Sequence, residues 1–125
     1  MSISTAAEPQ YVWELISPKA ARDGAGALSF QGKIWLLGGW NLNPAERSFF
    51  PRICNNEVWA SGECRDWMLV KPNTFKDRPF DSSSVWEGRR TAGYVVFRDR
   101  MWIVGGDCNQ GTCQNDVCSS TDDKT

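Results

Sequence analysis

The chain has 125 residues, 41% hydrophobic and 23% charged, which is the balance of a folded domain rather than a disordered one. Fourteen basic against fifteen acidic residues leave a net charge of −1, with no basic field to hold a nucleic-acid backbone. No apolar run approaches the ~20 residues of a membrane helix, and the absence of histidine removes the commonest general base and metal ligand.

Residues 1–11 read as a tail. Its opening, Met1 to Pro9, has neither the positive start nor the apolar centre of a secretory signal. Val12 to Ile16 is a short apolar run led by Trp13, the pattern of a strand. Arg22 to Gly39 reads as a hairpin, with strands Ala27 to Phe30 and Lys33 to Leu37 around a two-residue turn, Gln31-Gly32. Gly38-Gly39 closes it, where the backbone is expected to need positive φ or close approach. A long connection, Trp40 to Ile53, leads to a third strand within Cys54 to Ser61, a turn over Gly62 to Asp66, and a Trp-led fourth strand, Trp67 to Val70.

Lys71 to Gly88 is a second long connection. Beyond it, Arg89 to Gly106 aligns without a gap on Arg22 to Gly39 at an offset of 67: Arg, Ala, Gly, Phe, a basic residue, Trp and Gly-Gly recur in step. Its turn is Arg98-Asp99. After a shorter connection, Asp107 to Thr112, the stretch Cys113 to Ser120 repeats Cys54 to Ser61 at an offset of 59, and Trp13 to Ile16 matches Trp67 to Val70. The repeating unit is a four-stranded antiparallel meander, 54 residues from Trp13 to Trp67. Repeated four-stranded units of this length point to a β-propeller.

The residues Arg22, Gly38-Gly39, Asn56-Glu57-Val58 and Trp67, then Arg89, Gly105-Gly106 and Asn115-Asp116-Val117, resemble the kelch repeat. That resemblance covers the chain from about Val12 onward. It implies an all-β fold of four-stranded antiparallel blades in a kelch-type propeller: 12–16 as the outer strand of an adjoining blade, 22–70 as one blade, 71–88 as a loop insertion and 89–125 as a second blade without its outer strand. Rings close with roughly four to eight blades. Two blades are therefore read as an incomplete propeller, a piece of a longer one of roughly six blades, with head-to-tail copies as the other source of the remaining blades. The turns Ser61 to Trp67 and Ser120 to Thr125 are similar to degraded Asp-boxes, which are structural in the propellers that carry them.

In a meander the connections alternate between two edges, so the three longer ones share an edge, the usual mark of a binding face in repeat folds. They carry Trp40, Arg47, Phe49, Phe50 and Arg52, and Phe75, Lys76, Arg78, Phe80 and Trp86. Aromatics and arginines are the commonest hot-spot residues, and aromatic faces also stack on sugars. The opposing expectation for any one of these aromatics is that it folds back over a blade edge. Arg22, Arg89 and Arg90 precede the innermost strands on the same edge and are candidates for an anion; the competing reading of Arg22 and Arg89 is the structural arginine of the kelch repeat. Asp107 completes the candidate set. The function expected is a binding module for a protein or a glycan. The alternative is part of a carbohydrate-active enzyme, sialidase-like or sialic-acid epimerase-like, in which Arg22, Arg89, Arg90, Asp23 and Glu87 form a thin version of the site and no catalytic residue is assigned. No cofactor or metal is expected.

Cys108 and Cys113 flank a four-residue loop and are candidates for a disulfide, which would imply an oxidising compartment, secreted or periplasmic. Without that pairing the sequence does not fix a location. Cys54 and Cys113 are equivalent in the two units and are expected to be buried, and Cys118 replaces Trp59 at a packing position.

Overall fold

The computed structural model describes residues 7–8, 10, 12–16, 22–40, 54–73, 86–109 and 112–121, with backbone only at 108, 109 and 112. Among them the chain is all-β, with seven strands and no helix. The first sheet is β1 (Gly26–Phe30), β2 (Lys33–Leu37), β3 (Val58–Ser61) and β4 (Met68–Lys71). The second is β5 (Gly93–Phe97), β6 (Arg100–Asn109) and β7 (Thr112–Ser120). Both are antiparallel meanders in which strands adjacent in sequence are adjacent in space.

The repeat is visible in local detail. Gln31 and Gly32 have φ of 51° and 71°, and Arg98 and Asp99 have 51° and 55°, so both hairpins turn through two positive-φ residues. That geometry matches the right-handed twist of the flanking strands. Behind each turn an indole locks the hairpin: Trp35 Nε1 donates to the Phe30 carbonyl, and Trp102 Nε1 to that of Phe97, each at 2.8 Å.

Alternation along the strands gives each sheet two faces. On the first sheet, cross-strand pairs put Gly26, Leu28, Phe30, Trp35, Leu37, Val58 and Ala60 on one face. The second presents Tyr94, Met101, Ile103 and Cys118 in the same way. These two faces form the core, with Trp86 between them and the middle of each face buried. Close approach is set at Gly26: a Cβ there would lie 2.3 Å from the Tyr94 ring, so a glycine is what lets that ring lie on β1. Main-chain hydrogen bonds also cross between the units, from Gly39 N to Arg89 O and from Thr91 N to Gly24 O, both 2.8 Å.

Val12–Ile16 pair with none of the described strands and Trp13 is 93% exposed; the partners expected for them, those of an adjoining blade, are not among the described residues. Two expectations are corrected. The expected connection from Asp107 to Thr112 is largely ladder: β6 runs through Gly105-Gly106 to Asn109 and pairs with β7 from Thr112. Gly38-Gly39 does end β2. In β6 the same two glycines are absorbed as a register shift between Val104 and Gly106, a bulge that positive φ at both permits. Finally, Cys113 is a free, exposed thiol whose cross-strand partner is Asp107, so it is neither bridged to Cys108 nor buried like Cys54.

Candidate functional site

The edge opposite the two tight turns is built by the segments around the glycine pairs. Asp23 and Trp40 exchange two backbone hydrogen bonds, 2.7 and 2.8 Å, and Arg90 and Asp107 repeat that bridge at 2.9 and 3.0 Å. Trp40 also bridges to Cys54, and the Cys54 thiol lies 3.6 Å from the Asp107 carbonyl, linking the units again.

Two of the three candidate arginines are internal. Arg89 is wholly buried, at 0% exposure. Its Nε donates to Glu87 O at 2.8 Å and its Nη1 to Gly105 O at 2.9 Å, while Nη1 and Nη2 grip the two Asp116 carboxylate oxygens. This bidentate geometry, with hydrogen bonds first among its causes, holds the Asp116 carboxyl below its usual range. Arg22 repeats the arrangement on Gly38 O (2.9 Å) and Glu57 Oε2 (3.2 Å). An arginine buried against a partner carboxylate has little left for an external anion, so Arg22 and Arg89 are pillars of the fold rather than ligand contacts. They are also withdrawn from the thin arginine set of the enzyme alternative.

Arg90 is half-buried and faces Asp23 (2.9 Å) and Asp107 (3.5 Å). One guanidinium between two carboxylates carries a net −1, which disfavours the anion expected there. It suits a ligand rich in hydroxyl or N–H donors, with Asp23 the exposed acceptor. Beside it Trp40 is half-buried, and its indole nitrogen has no partner among the described residues.

Trp86 is in the core, not on the surface, with its carbonyl accepting from Asn56 Nδ2 at 3.0 Å. It carries a residue that the sequence did not single out, Lys71, whose ammonium lies 5.8 Å from the Trp86 ring centre and donates to Asn56 O (3.0 Å) and Pro72 O (3.3 Å). Burial pushes the Lys71 pKa down to about 8, against an opposing pull from Glu57. The signal available was Lys71 ending a strand whose apolar run it extends. Asn55 and Asn56 are also fully buried. Among the described residues no three Cys, Asp or Glu side chains converge as a metal site requires.

Arg47, Phe49, Phe50, Arg52, Phe75, Lys76, Arg78 and Phe80 lie outside the described residues. The structure thus brings together Trp40, Arg90 and Asp107 of the candidate set, adds Asp23, and removes Arg22, Arg89 and Trp86. The turn over Ser61 to Trp67 is a closed local unit: Ser61 Oγ accepts from Glu63 N at 3.4 Å and Trp67 Nε1 donates to Cys64 O at 3.2 Å. The Cys118 thiol is pushed up by burial and by Asp116, the reverse of an activated nucleophile.

No protein-family model matches the chain, and no curated protein matches it.

Proposed function

We propose that the chain is part of a kelch-type β-propeller and serves as a binding module, recognising a protein or a glycan through the edge that bears the long connections. The observation that carries the reading is the sorting of the two edges. The tight turns Gln31-Gly32 and Arg98-Asp99 occupy one edge. The other gathers the described ends of the long connections, 38–40, 54–57, 72–73 and 86–92, with Trp40, Asp23, Arg90 and Asp107 among or beside them. A half-buried indole beside one exposed carboxylate acceptor, Asp23, is the chemistry that stacks on a sugar ring and accepts its hydroxyl protons. A tyrosine- or arginine-rich protein loop would use the same groups.

The test is a glycan array probed with the purified chain, followed by titration of any hit. Trp40→Ala and Asp23→Asn are expected to weaken binding at least tenfold, while Gln31→Ala and Arg98→Ala, on the far edge, leave it unchanged. Absence of any glycan above background would remove the sugar reading. Equal losses from variants on both edges would remove the assignment of the edge.

A further inference from the structure

The repeat that relates the two units also relates their faces, and the relation leaves one face uncovered. Positions 26, 28, 30, 35 and 37 of the first sheet correspond to 93, 95, 97, 102 and 104 of the second, and 58 and 60 to 117 and 119. In the first sheet these positions are the buried face, covered by Tyr94, Met101 and Ile103. In the second sheet they form the opposite, outward face. Phe30 is 6% exposed and its equivalent Phe97 is 56% exposed; Val58 is 3% and Val117 58%. Val95 and Val104 are exposed in the same way. An aliphatic and aromatic sheet face of this kind marks a contact surface.

We infer that the outward face of the second sheet docks the outward face of the first sheet of a second copy of this chain, continuing the interface already present between the two sheets. The complement is supplied by Ala27, Ser29, Ile34, Leu36 and Trp59, which occupy the repeat positions of Tyr94, Val96, Met101, Ile103 and Cys118. Ile34, Leu36 and Trp59 are only half-buried, and Leu69, opposite Trp59, is exposed.

Charge fits as well. Inside the molecule Asp23 pairs with Arg90, and these two residues are themselves repeat equivalents. One step further along the stack, Arg90 takes the place of Asp23 and the second copy's Asp23 takes the place of Arg90, so the pair is regenerated with its signs exchanged. The main-chain staple has its counterpart too: Gly106 stands where Gly39 donates, and Arg22 where Arg89 accepts. The fit is looser at one point, because Ala27 fills less of the space over Gly93 than the Tyr94 ring fills over Gly26. The contact between copies is accordingly weaker than the one inside the chain. The contact is heterologous, so repetition yields a ring if the rotation closes and a filament if it does not.

This inference rests on the sheet faces and not on the proposed binding edge, and its test leaves that edge intact. Val95→Asp disables the outward face of the second sheet, and Ser29→Asp that of the first. Both positions are exposed, and circular dichroism checks that the fold persists. Sedimentation velocity of the whole chain, from micromolar to millimolar, is expected to show reversible growth beyond the dimer for the parent and a monomer for each variant. An equimolar mixture of the two variants restores dimers and nothing larger, because each keeps one working and complementary face. A parent that stays monomeric throughout overturns the inference. So does a dimer that survives Ser29→Asp, since that would be a symmetric contact of the second sheet alone.

Discussion

The two sheets are built from one repeat and are used differently. The first has four strands, one face buried against the second sheet and an outer face that mixes half-buried with exposed positions. The second has three strands among the described residues, a bulge in place of a clean glycine stop, and an apolar face turned to solvent. Equivalent residues thus sit in unlike surroundings, and each such pair is an internal control. The difference teaches that repeat position fixes backbone conformation, whereas burial is fixed by which neighbour is present. The glycine pairs keep nearly the same φ in both units, 60° and 102° against 60° and 108°, while the side chains around them do not keep the same exposure.

The largest contrast is expected between the arginines. Arg89→Ala removes a wholly buried, bidentate pillar and leaves two carbonyls without it, while the part-exposed Asp116 carboxylate returns to water, a loss of about 2–4 kcal/mol. Arg22→Ala, with a single carboxylate contact and its Nε without a partner among the described residues, is expected to cost about 1–2 kcal/mol. Urea denaturation of the two variants measures the difference; equal losses would mean that the two units share the load. The Arg89 pair is also acid-sensitive. Because the folded carboxyl of Asp116 titrates below its unfolded value, its contribution is complete above about pH 4 and is lost as pH falls through the lowered value.

Lys71 distinguishes the first sheet at the other end of the scale. Between about pH 8 and 10.5 the unfolded chain still holds the proton that folded Lys71 has released, so stability rises with pH through that window. The gain is on the order of 2–3 kcal/mol. Tyr94 works in the opposite direction from about pH 10 to 12, because burial raises its folded pKa to about 12. Between about pH 7.5 and 9.5 the melting temperature should therefore change more favourably for the parent than for Lys71→Met, in which the raised Cys118 thiol lowers it over that range.

Gly26 and Gly93 form the next pair. Gly26→Ala drives a Cβ into the Tyr94 ring and should cost about 1–3 kcal/mol. At Gly93 the nearest atom to a new Cβ is Val104 Cβ at 3.5 Å, so Gly93→Ala should be neutral or stabilising by roughly half a kcal/mol. A destabilised Gly93→Ala would show that its outward surface is already occupied. The smallest effect is on thiols: a disulfide-exchange reagent should modify exposed Cys113 in the native protein while its buried equivalent Cys54 reacts only on unfolding.

Strand order and turns were legible in the sequence because they depend on neighbours in the chain: the period-two runs, the paired turn residues and Gly-Gly are local signals. The bulge at Gly105-Gly106 was not, because the same two glycines can stop a strand or kink it, and only the partner strand decides. At the candidate site, Arg89 was one of three similar arginines until the Asp116 carboxylate, 27 residues away, was brought against it. Trp86 read either as a ligand-facing aromatic or as one folded back over a blade edge, because the segment it follows has loop composition; its ring enters the core beneath Lys71. Val12–Ile16 have the pattern of a strand, but among the described residues no strand pairs with them, and pattern alone makes no ladder.

The hydrogen bonds from Gly39 to Arg89 and from Thr91 to Gly24 have a consequence for how the molecule comes apart. These two amides belong to neither sheet's own ladder and are released when the sheets separate, even if each sheet survives. Their hydrogen-exchange rates therefore report the free energy of parting the units, separately from that of melting either one. If they exchange together with the amides of β2 and β6, the two sheets are a single cooperative foldon; if they exchange earlier, each repeat is a foldon of its own.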